Sequence, residues 1–185
     1  MSTPIQPVTR LVWLDLELTG LDSQRDQILE IAVLITDINL NLIATGPCLA
    51  LHQPAADLAR MDEWNQRTHQ QSGLLDLVRQ STITTAQAEA QVLAFVAQYC
   101  PPQTAPLCGN SIWQDRLFLV RLMPQLNQWL HYRIIDVSSI KVLVQNWYKP
   151  EKLTYTKKNL HRGLADIQET VAELRFYRQH FFVQE

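Results

Sequence analysis

Two acidic side chains lie two residues apart near the start of the chain. Asp15 and Glu17 follow a fully apolar run, residues 11–14, which predicts a strand. Side chains at positions i and i+2 leave a strand on the same face, so the two carboxylates point together and repel unless a cation lies between them. The pair favours a site for Mg²⁺ or Mn²⁺, which prefer oxygen ligands. The alternative is a strand with one polar, solvent-facing side.

Further titratable residues come later, each with a structural alternative. Asp115 follows Gly109 at a turn from an apolar strand into a helix, where ligand sites gather, although an acid also suits the first turn of any helix. His161 and Asp166 converge best if His161 is in a loop and Asp166 opens a helix; a lone His is otherwise a surface or capping residue. Asp136 is expected to be only a local cap before Ser138.

Taken together, the four acids Asp15, Glu17, Asp115 and Asp166 suit two-metal phosphodiester hydrolysis. In that chemistry, carboxylates hold two cations that stabilise the attacking and leaving oxygens. A neutral His with an ordinary pKa of about 6.5 takes a proton from water at physiological pH, which is the role expected of His161.

The elements that position these residues follow from apolar periodicity. Strands are predicted at residues 11–18, 27–36, 42–52, 107–110 and 134–137. Helices are predicted at residues 55–61, 63–71, 74–80, 85–100, 114–123, 138–148 and 166–182, with a capping box between Thr84 and Gln87. Three strands in succession, treated as antiparallel neighbours, and then strands alternating with helices indicate an α/β fold with a mixed five-stranded sheet flanked by helices.

Composition limits the function classes. The 185 residues, 46% hydrophobic and 18% charged, suit one globular domain over residues 1–185, with no signal peptide or membrane span expected. Three cysteines without paired spacing favour a reducing cytoplasm. A net charge of −2 argues against a basic groove for long nucleic acid, so a nucleic-acid substrate is expected to be short.

Three ordered segments resemble the motifs of the oligoribonucleases, a branch of the DEDDh 3′-to-5′ exonucleases. They are VWLDLELTGLD from Val12, CGNSIWQDRLFL from Cys108 and HRGLADIQETVAELRFYRQHF from His161. The resemblance implies a ribonuclease-H-like fold, metal ligands at Asp15, Glu17, Asp115 and Asp166, and His161 as the general base. It also implies two Mg²⁺ or Mn²⁺ ions per site, a homodimer, and hydrolysis of short RNAs, especially diribonucleotides, to nucleoside 5′-monophosphates.

The same resemblance implies a set of substrate contacts. Leu21 would wedge between two bases and Trp64 would stack on the 3′ base, while Tyr132 and Arg133 would reach the phosphate from the partner chain of the dimer. The full set of substrate-binding residues is Leu18, Leu21, Trp64, His69, Ser111, Gln114, Tyr132, Arg133 and Ser138.

Departures from the family pattern leave alternatives open. Leu18 replaces a usual Met, a volume-conserving change, and Trp113 stands where Gly is usual and could reshape the phosphate end of the pocket. The alternatives are a DNA- or tRNA-trimming DEDDh exonuclease and a non-catalytic dinucleotide-binding module. Faster cleavage of a ten-nucleotide strand than of a dinucleotide would identify the trimming exonuclease. Binding of the dinucleotide without turnover in Mn²⁺ would identify the binding module.

Overall fold

The computed structural model describes residues 8–148, 155 and 163–182. Its strands are β1 (Arg10–Leu18), β2 (Ile28–Asp37), β3 (Leu42–Ala50), β4 (Pro106–Gly109) and β5 (His131–Asp136). Its helices are α1 (Ala55–Leu58), α2 (Glu63–Gln71), α3 (Leu74–Gln80), α4 (Thr85–Tyr99), α5 (Ile112–Leu122), α6 (Pro124–Trp129), α7 (Val137–Trp147) and α8 (Gly163–Phe181).

The five strands form one sheet in the order β3-β2-β1-β4-β5. β1 is antiparallel to β2 and parallel to β4, and β4 is in turn parallel to β5. The mixed five-stranded sheet and the antiparallel pairing of the first three strands are therefore confirmed. Because β1 and β4 are parallel neighbours, their carboxyl ends meet at one edge of the sheet, where Asp15 and Glu17 lie close to the start of α5.

The alternation of side chains along β1 decides which helix faces the two acids. Leu14 and Leu16 pack into an apolar cluster that includes residues of α4. Leu11 and Trp13 pack on the opposite face, in a cluster that includes residues of α8. Asp15 and Glu17 occupy odd-numbered positions of β1, as Leu11 and Trp13 do. Alternate side chains point to the same face of a strand, so both acids lie on the face that α8 covers.

Most predicted elements are present, with changed ends. The bounds of α2 and α3 and the capping box that begins α4 agree with the predictions. α1 is shorter than predicted, while α5, β5 and α8 begin two or three residues earlier than predicted. α6 was not predicted; it begins at Pro124, which lacks a backbone donor and starts a new helix after the non-helical Met123. None of the described helices is long and apolar enough to cross a membrane.

Candidate active site

Three carboxylates converge at the carboxyl end of β1. Asp15 and Glu17 lie on the face of the sheet covered by α8, and Asp166 lies in the first turn of that helix. One oxygen from each residue lies within 4.8 Å of the others. The structure therefore brings together three of the four predicted ligands, from positions far apart in the chain.

The pKa values of Asp15 and Glu17 reflect their burial first and then their crowding. Burial raises the pKa of Asp15 well above its ordinary value, and the charges of Asp115, Glu17, Asp166 and Glu30 raise it further. Burial, together with the charges of Glu30 and Asp166, raises the pKa of Glu17 to about 7. These half-buried carboxylate oxygens repel one another, and oxygen is the ligand atom that hard divalent cations prefer. The site therefore fits a divalent cation, which would relieve the repulsion.

Asp115 approaches β1 from the other side of the site. It lies in the first turn of α5 and is buried, and its Oδ1 accepts a hydrogen bond from the Leu16 N–H at 3.0 Å. Burial raises its pKa to about 7 despite that hydrogen bond. Asp115 is thus fixed on the backbone between Asp15 and Glu17, and its charge also raises the pKa of Asp15.

Ser111 and Ser138 are adjacent, at the amino ends of α5 and α7. The Ser111 N–H donates to Asp136 Oδ1 and to Ser138 Oγ, each at 3.0 Å, and the two serine hydroxyls are 3.3 Å apart. The Ser138 N–H also donates to Asp136 Oδ1, so the predicted cap is present. Ser111 is in the left-handed region at φ 48°, so the hydrogen bond that its N–H donates to Asp136 stabilises a turn that a non-glycine residue rarely adopts.

The apolar residues predicted to bind substrate differ in exposure. Leu21 and Trp64 are exposed, whereas Leu18 is buried at the end of β1. The amide of Gln114, another predicted substrate-binding residue, donates to the Leu21 carbonyl at 2.7 Å. It thereby connects the start of α5 to the loop that carries Leu21.

His69 is buried behind the acids. Its Nε2 lies 3.0 Å from the Leu18 carbonyl oxygen and its Nδ1 lies 3.8 Å from Glu17 Oε2. The ring therefore packs directly against the end of β1 and the Glu17 carboxylate.

Tyr132 and Arg133 lie on β5, an outer strand of the sheet. The Tyr132 side chain is 72% exposed, and the Arg133 guanidinium carbon lies 4.9 Å from the centre of its ring. Arg116 of α5 donates to the backbone carbonyls of His131 and Tyr132 at 2.8 and 3.4 Å. These contacts fix the Tyr132 backbone against α5, two strands away from β1.

His161 lies outside the described residues, so its role as general base remains a prediction. Glu30, in contrast, is a described residue of the site that the motif reasoning missed. It is the register partner of Glu17 on β2, and its Oε1 accepts the Gly163 N–H at 3.0 Å. The available signal was one acid inside the otherwise apolar run ILEIAVLIT, in a strand expected to pair with the one carrying Glu17.

Acids converge at the end of the central strand of a mixed sheet, and comparison with known proteins identifies the class of protein to which this arrangement belongs. A family model described as exonuclease matches residues 12–174. Exonuclease I from Methylocaldum szegediense has the same fold, with a TM-score of 0.70 and 19% identity over 94% of this chain, which spans 41% of that larger protein. The chain belongs to the exonuclease family.

Curated relatives narrow the assignment. An oligoribonuclease from Acinetobacter baylyi is 52% identical over 95% of this chain and 96% of its own length. An oligoribonuclease from Alkalilimnicola ehrlichii is 54% identical over 92% of this chain and 89% of its own length. Within the exonucleases, the chain is thus a member of the oligoribonuclease branch and a hydrolytic 3′-to-5′ exoribonuclease.

Proposed function

We propose that the protein hydrolyses diribonucleotides and other very short RNAs from the 3′ end, releasing nucleoside 5′-monophosphates. The observation that carries this proposal is the convergence of Asp15, Glu17 and Asp166 within 4.8 Å, with Asp115 fixed beside them. These four residues would hold two Mg²⁺ or Mn²⁺ ions. Such ions, when bound, stabilise the attacking and leaving oxygens of an in-line phosphodiester displacement.

His161 is proposed as the general base. A neutral imidazole can accept the proton of the attacking water, and His161 precedes the start of α8 by two residues. Asp166, in the first turn of that helix, would meanwhile keep its carboxylate with Asp15 and Glu17. The two roles therefore belong to neighbouring positions in one segment of the chain.

Short substrates are supported by the kind of contacts that the surface offers. Leu21 and Trp64 are exposed apolar side chains, and stacking of a base on an aromatic ring such as that of Trp64 is worth about 1–3 kcal/mol without regard to sequence. The Ser111 hydroxyl, which lies 3.3 Å from that of Ser138, would bind a terminal phosphate. The net charge of −2 leaves little electrostatic attraction for a long strand.

We also propose that the enzyme is a homodimer in which Tyr132 and Arg133 reach the site of the partner chain. The outward face of α5 supports this, because Trp113, Leu117 and Val120 are all exposed there at helical spacing i, i+4, i+7. An apolar stripe on the solvent side of a helix is typical of an interface. The Arg116 side chain of this helix donates a hydrogen bond to the Tyr132 carbonyl, so the apolar stripe and Tyr132 belong to one surface.

The cysteines bear on the cellular compartment of the enzyme. Three cysteines without paired spacing support a reducing compartment, and we propose the cytoplasm. The family match over residues 12–174 supports a single catalytic domain over residues 1–185.

The test is a turnover assay on a 5′-phosphorylated diribonucleotide and a ten-nucleotide RNA at equal concentration, in Mg²⁺, in Mn²⁺ and in EDTA. We expect metal-dependent release of mononucleotides with a higher kcat/KM for the dinucleotide. Faster cleavage of the ten-nucleotide strand would favour a longer physiological substrate. Tight binding of the dinucleotide in Mn²⁺ without turnover would instead show a binding module.

A further inference from the structure

Glu30 is a buried carboxylate surrounded by other acids. Glu30 lies on β2 directly opposite Glu17 of β1, and it is only 3% exposed to solvent. Its charge contributes to the raised pKa values of both Asp15 and Glu17, so it is electrostatically part of the site. Yet the group of carboxylates close enough to share an ion consists, among the described residues, of Asp15, Glu17 and Asp166 without Glu30.

The start of α8 supplies the compensation for this buried charge. Gly163, the first residue of the helix, donates its N–H to Glu30 Oε1. Backbone N–H groups in the first turn have no acceptor within the described helix, and a helix amino terminus carries a partial positive charge. In the described part of the chain, Glu30 forms no salt bridge with a basic side chain.

The same contact brings α8 close to the catalytic strand. A Cβ atom built on Gly163 would lie 3.0 Å from Glu30 Oε1 and 3.7 Å from Asp15 Oδ2. Asp166 follows Gly163 by three residues, which is less than one helical turn. The bond to Glu30 therefore fixes the end of the helix that carries Asp166.

We propose that Glu30 is a positioning residue: it holds the amino terminus of α8 on β2, so that Asp166 meets Asp15 and Glu17 at the distance a shared cation requires. Glu30 acts as a hydrogen-bond acceptor and contributes no ligand atom. The inference rests on the proposed metal function of the three carboxylates.

The test compares two neutral replacements of similar length. Glu30→Gln keeps an oxygen that can accept the Gly163 N–H, whereas Glu30→Met does not, and both remove the charge. Mn²⁺ binding is measured by electron paramagnetic resonance without RNA. Loss of an outer partner of a metal ligand typically costs about 10- to 100-fold in affinity, and we expect Glu30→Met to weaken binding by that amount. Glu30→Gln should restore most of the affinity.

Glu89 provides a matched control. It is another buried glutamate at a helix amino terminus, where its Oε1 accepts the N–H groups of Gln125 and Leu126 of α6. Glu89→Met should lower the melting temperature in EDTA, because two backbone N–H groups of α6 lose their acceptor, but leave Mn²⁺ affinity unchanged. An equal loss of Mn²⁺ affinity in Glu89→Met would overturn the positioning role, because general destabilisation would then explain both results.

Two further outcomes decide against the inference. Glu30→Met with parental affinity, or Glu30→Gln as weak as Glu30→Met, would overturn the acceptor role. If Glu30→Met does not fold, Glu30→Asp takes its place, because it keeps the charge but withdraws the carboxylate from Gly163. Parental Mn²⁺ affinity in Glu30→Asp would likewise overturn the acceptor role. Asp15→Asn, measured alongside, distinguishes failure of the positioning role from failure of the proposed metal site. If Asp15→Asn loses Mn²⁺ while Glu30→Met keeps it, only the positioning role fails, whereas unchanged binding in Asp15→Asn refutes the metal site itself.

Discussion

The acids of the site differ in how each is held. Asp115 uses one oxygen to accept the Leu16 N–H and Glu30 uses one to accept the Gly163 N–H. Asp15 experiences burial together with the charges of four other acids, which raise its pKa well above its ordinary value. Since a carboxylate in such surroundings gains most from a nearby cation, Asp15 is the residue at which charge removal should have the largest effect on metal binding.

Asp15→Asn and His161→Ala should therefore fail in different ways. Asp15→Asn should weaken Mn²⁺ binding and abolish turnover, because it removes a charge from the group of carboxylates proposed to hold the ions. His161→Ala should lose about 10²- to 10⁴-fold in kcat, the usual contribution of a positioned general base, and still bind metal and dinucleotide. Isothermal titration with Mn²⁺ and single-turnover kinetics measure the two effects. An equal loss of metal affinity in both variants would mean that the roles are assigned wrongly.

The raised pKa values also predict how stability depends on pH without metal. Burial first, and then neighbouring charges, raise the pKa of Glu17 from 4.5 to about 7, and burial raises that of Asp115 from 3.8 to about 7. Between those values the folded state binds more protons than the unfolded state, so the free energy of unfolding falls as pH rises from about 4 to about 7. Above that range this contribution to the pH dependence ends.

Melting temperatures in EDTA at pH 5 and pH 8 measure this contribution, and we expect the lower value at pH 8. Saturating Mg²⁺ should raise the melting temperature more at pH 8, because the ion replaces the protons. Asp15→Asn, which removes one of the repelling charges, should show a smaller fall in EDTA. A parental melting temperature that rises between pH 5 and pH 8 in EDTA would contradict the prediction.

Among the elements, α5 has two distinct faces. Its inner face is packed through Ile112, Asp115 and Phe118, which places an acid of the proposed metal site inside the protein. Its outer face exposes Leu117 together with Trp113 and Val120. The helix therefore connects the acid at β1 to the surface that we propose for the dimer.

Leu117→Lys should dissociate the dimer, because it places a charge in the middle of the apolar stripe. Light scattering coupled to size exclusion measures the mass, and dinucleotide turnover should fall with dimer content. Leu77→Lys on α3 is the matched control, since Leu77 is 40% exposed and Leu117 is 44% exposed. Leu77→Lys should remain dimeric and active. A Leu117→Lys protein with the parental mass would place the interface elsewhere.

For the whole molecule, the sheet order separates the metal site from the strand that carries Tyr132. β1 lies in the centre and β5 lies at the outer edge, so the exposed Tyr132 is available to a neighbouring chain. A dinucleotide offers few contacts, and a partner residue that closes the site would raise affinity and exclude longer strands.

Subunit mixing tests this arrangement. A His161→Ala homodimer and a Tyr132→Ala homodimer should each be nearly inactive. If Tyr132 acts across the interface, one site of the heterodimer receives both lesions, while the other combines an intact His161 with the partner's intact tyrosine. Turnover should therefore reappear after subunit exchange.

Should Tyr132 serve its own chain, every site in the mixture would carry one lesion. Native mass spectrometry shows whether the heterodimer has formed. A confirmed heterodimer without recovered turnover would rule out the shared site and leave the assignment of the carboxylates unaffected.

Local rules in the sequence account for much of this protein. The two-residue repeat places Asp15 and Glu17 on one face of β1, and the capping box at Thr84 begins α4 where expected. Strand alternation and helix capping can be predicted because they depend on residues only a few positions apart. The exonuclease fold was predicted differently, from the resemblance of three ordered segments to family motifs.

The motifs predicted that four acids share a site, but only the tertiary structure decided how they meet. The packing of α8 on the odd-numbered face of β1 brings Asp166 to Asp15 and Glu17, and strand pairing brings Glu30 opposite Glu17. Glu30 was missed because its role depends on Gly163, far away in the sequence, and an isolated acid in an apolar strand has no local signal for its partner. Such contacts arise only when the sheet order and the helix packing are fixed together, because burial forces each buried carboxylate to find a compensating group across elements.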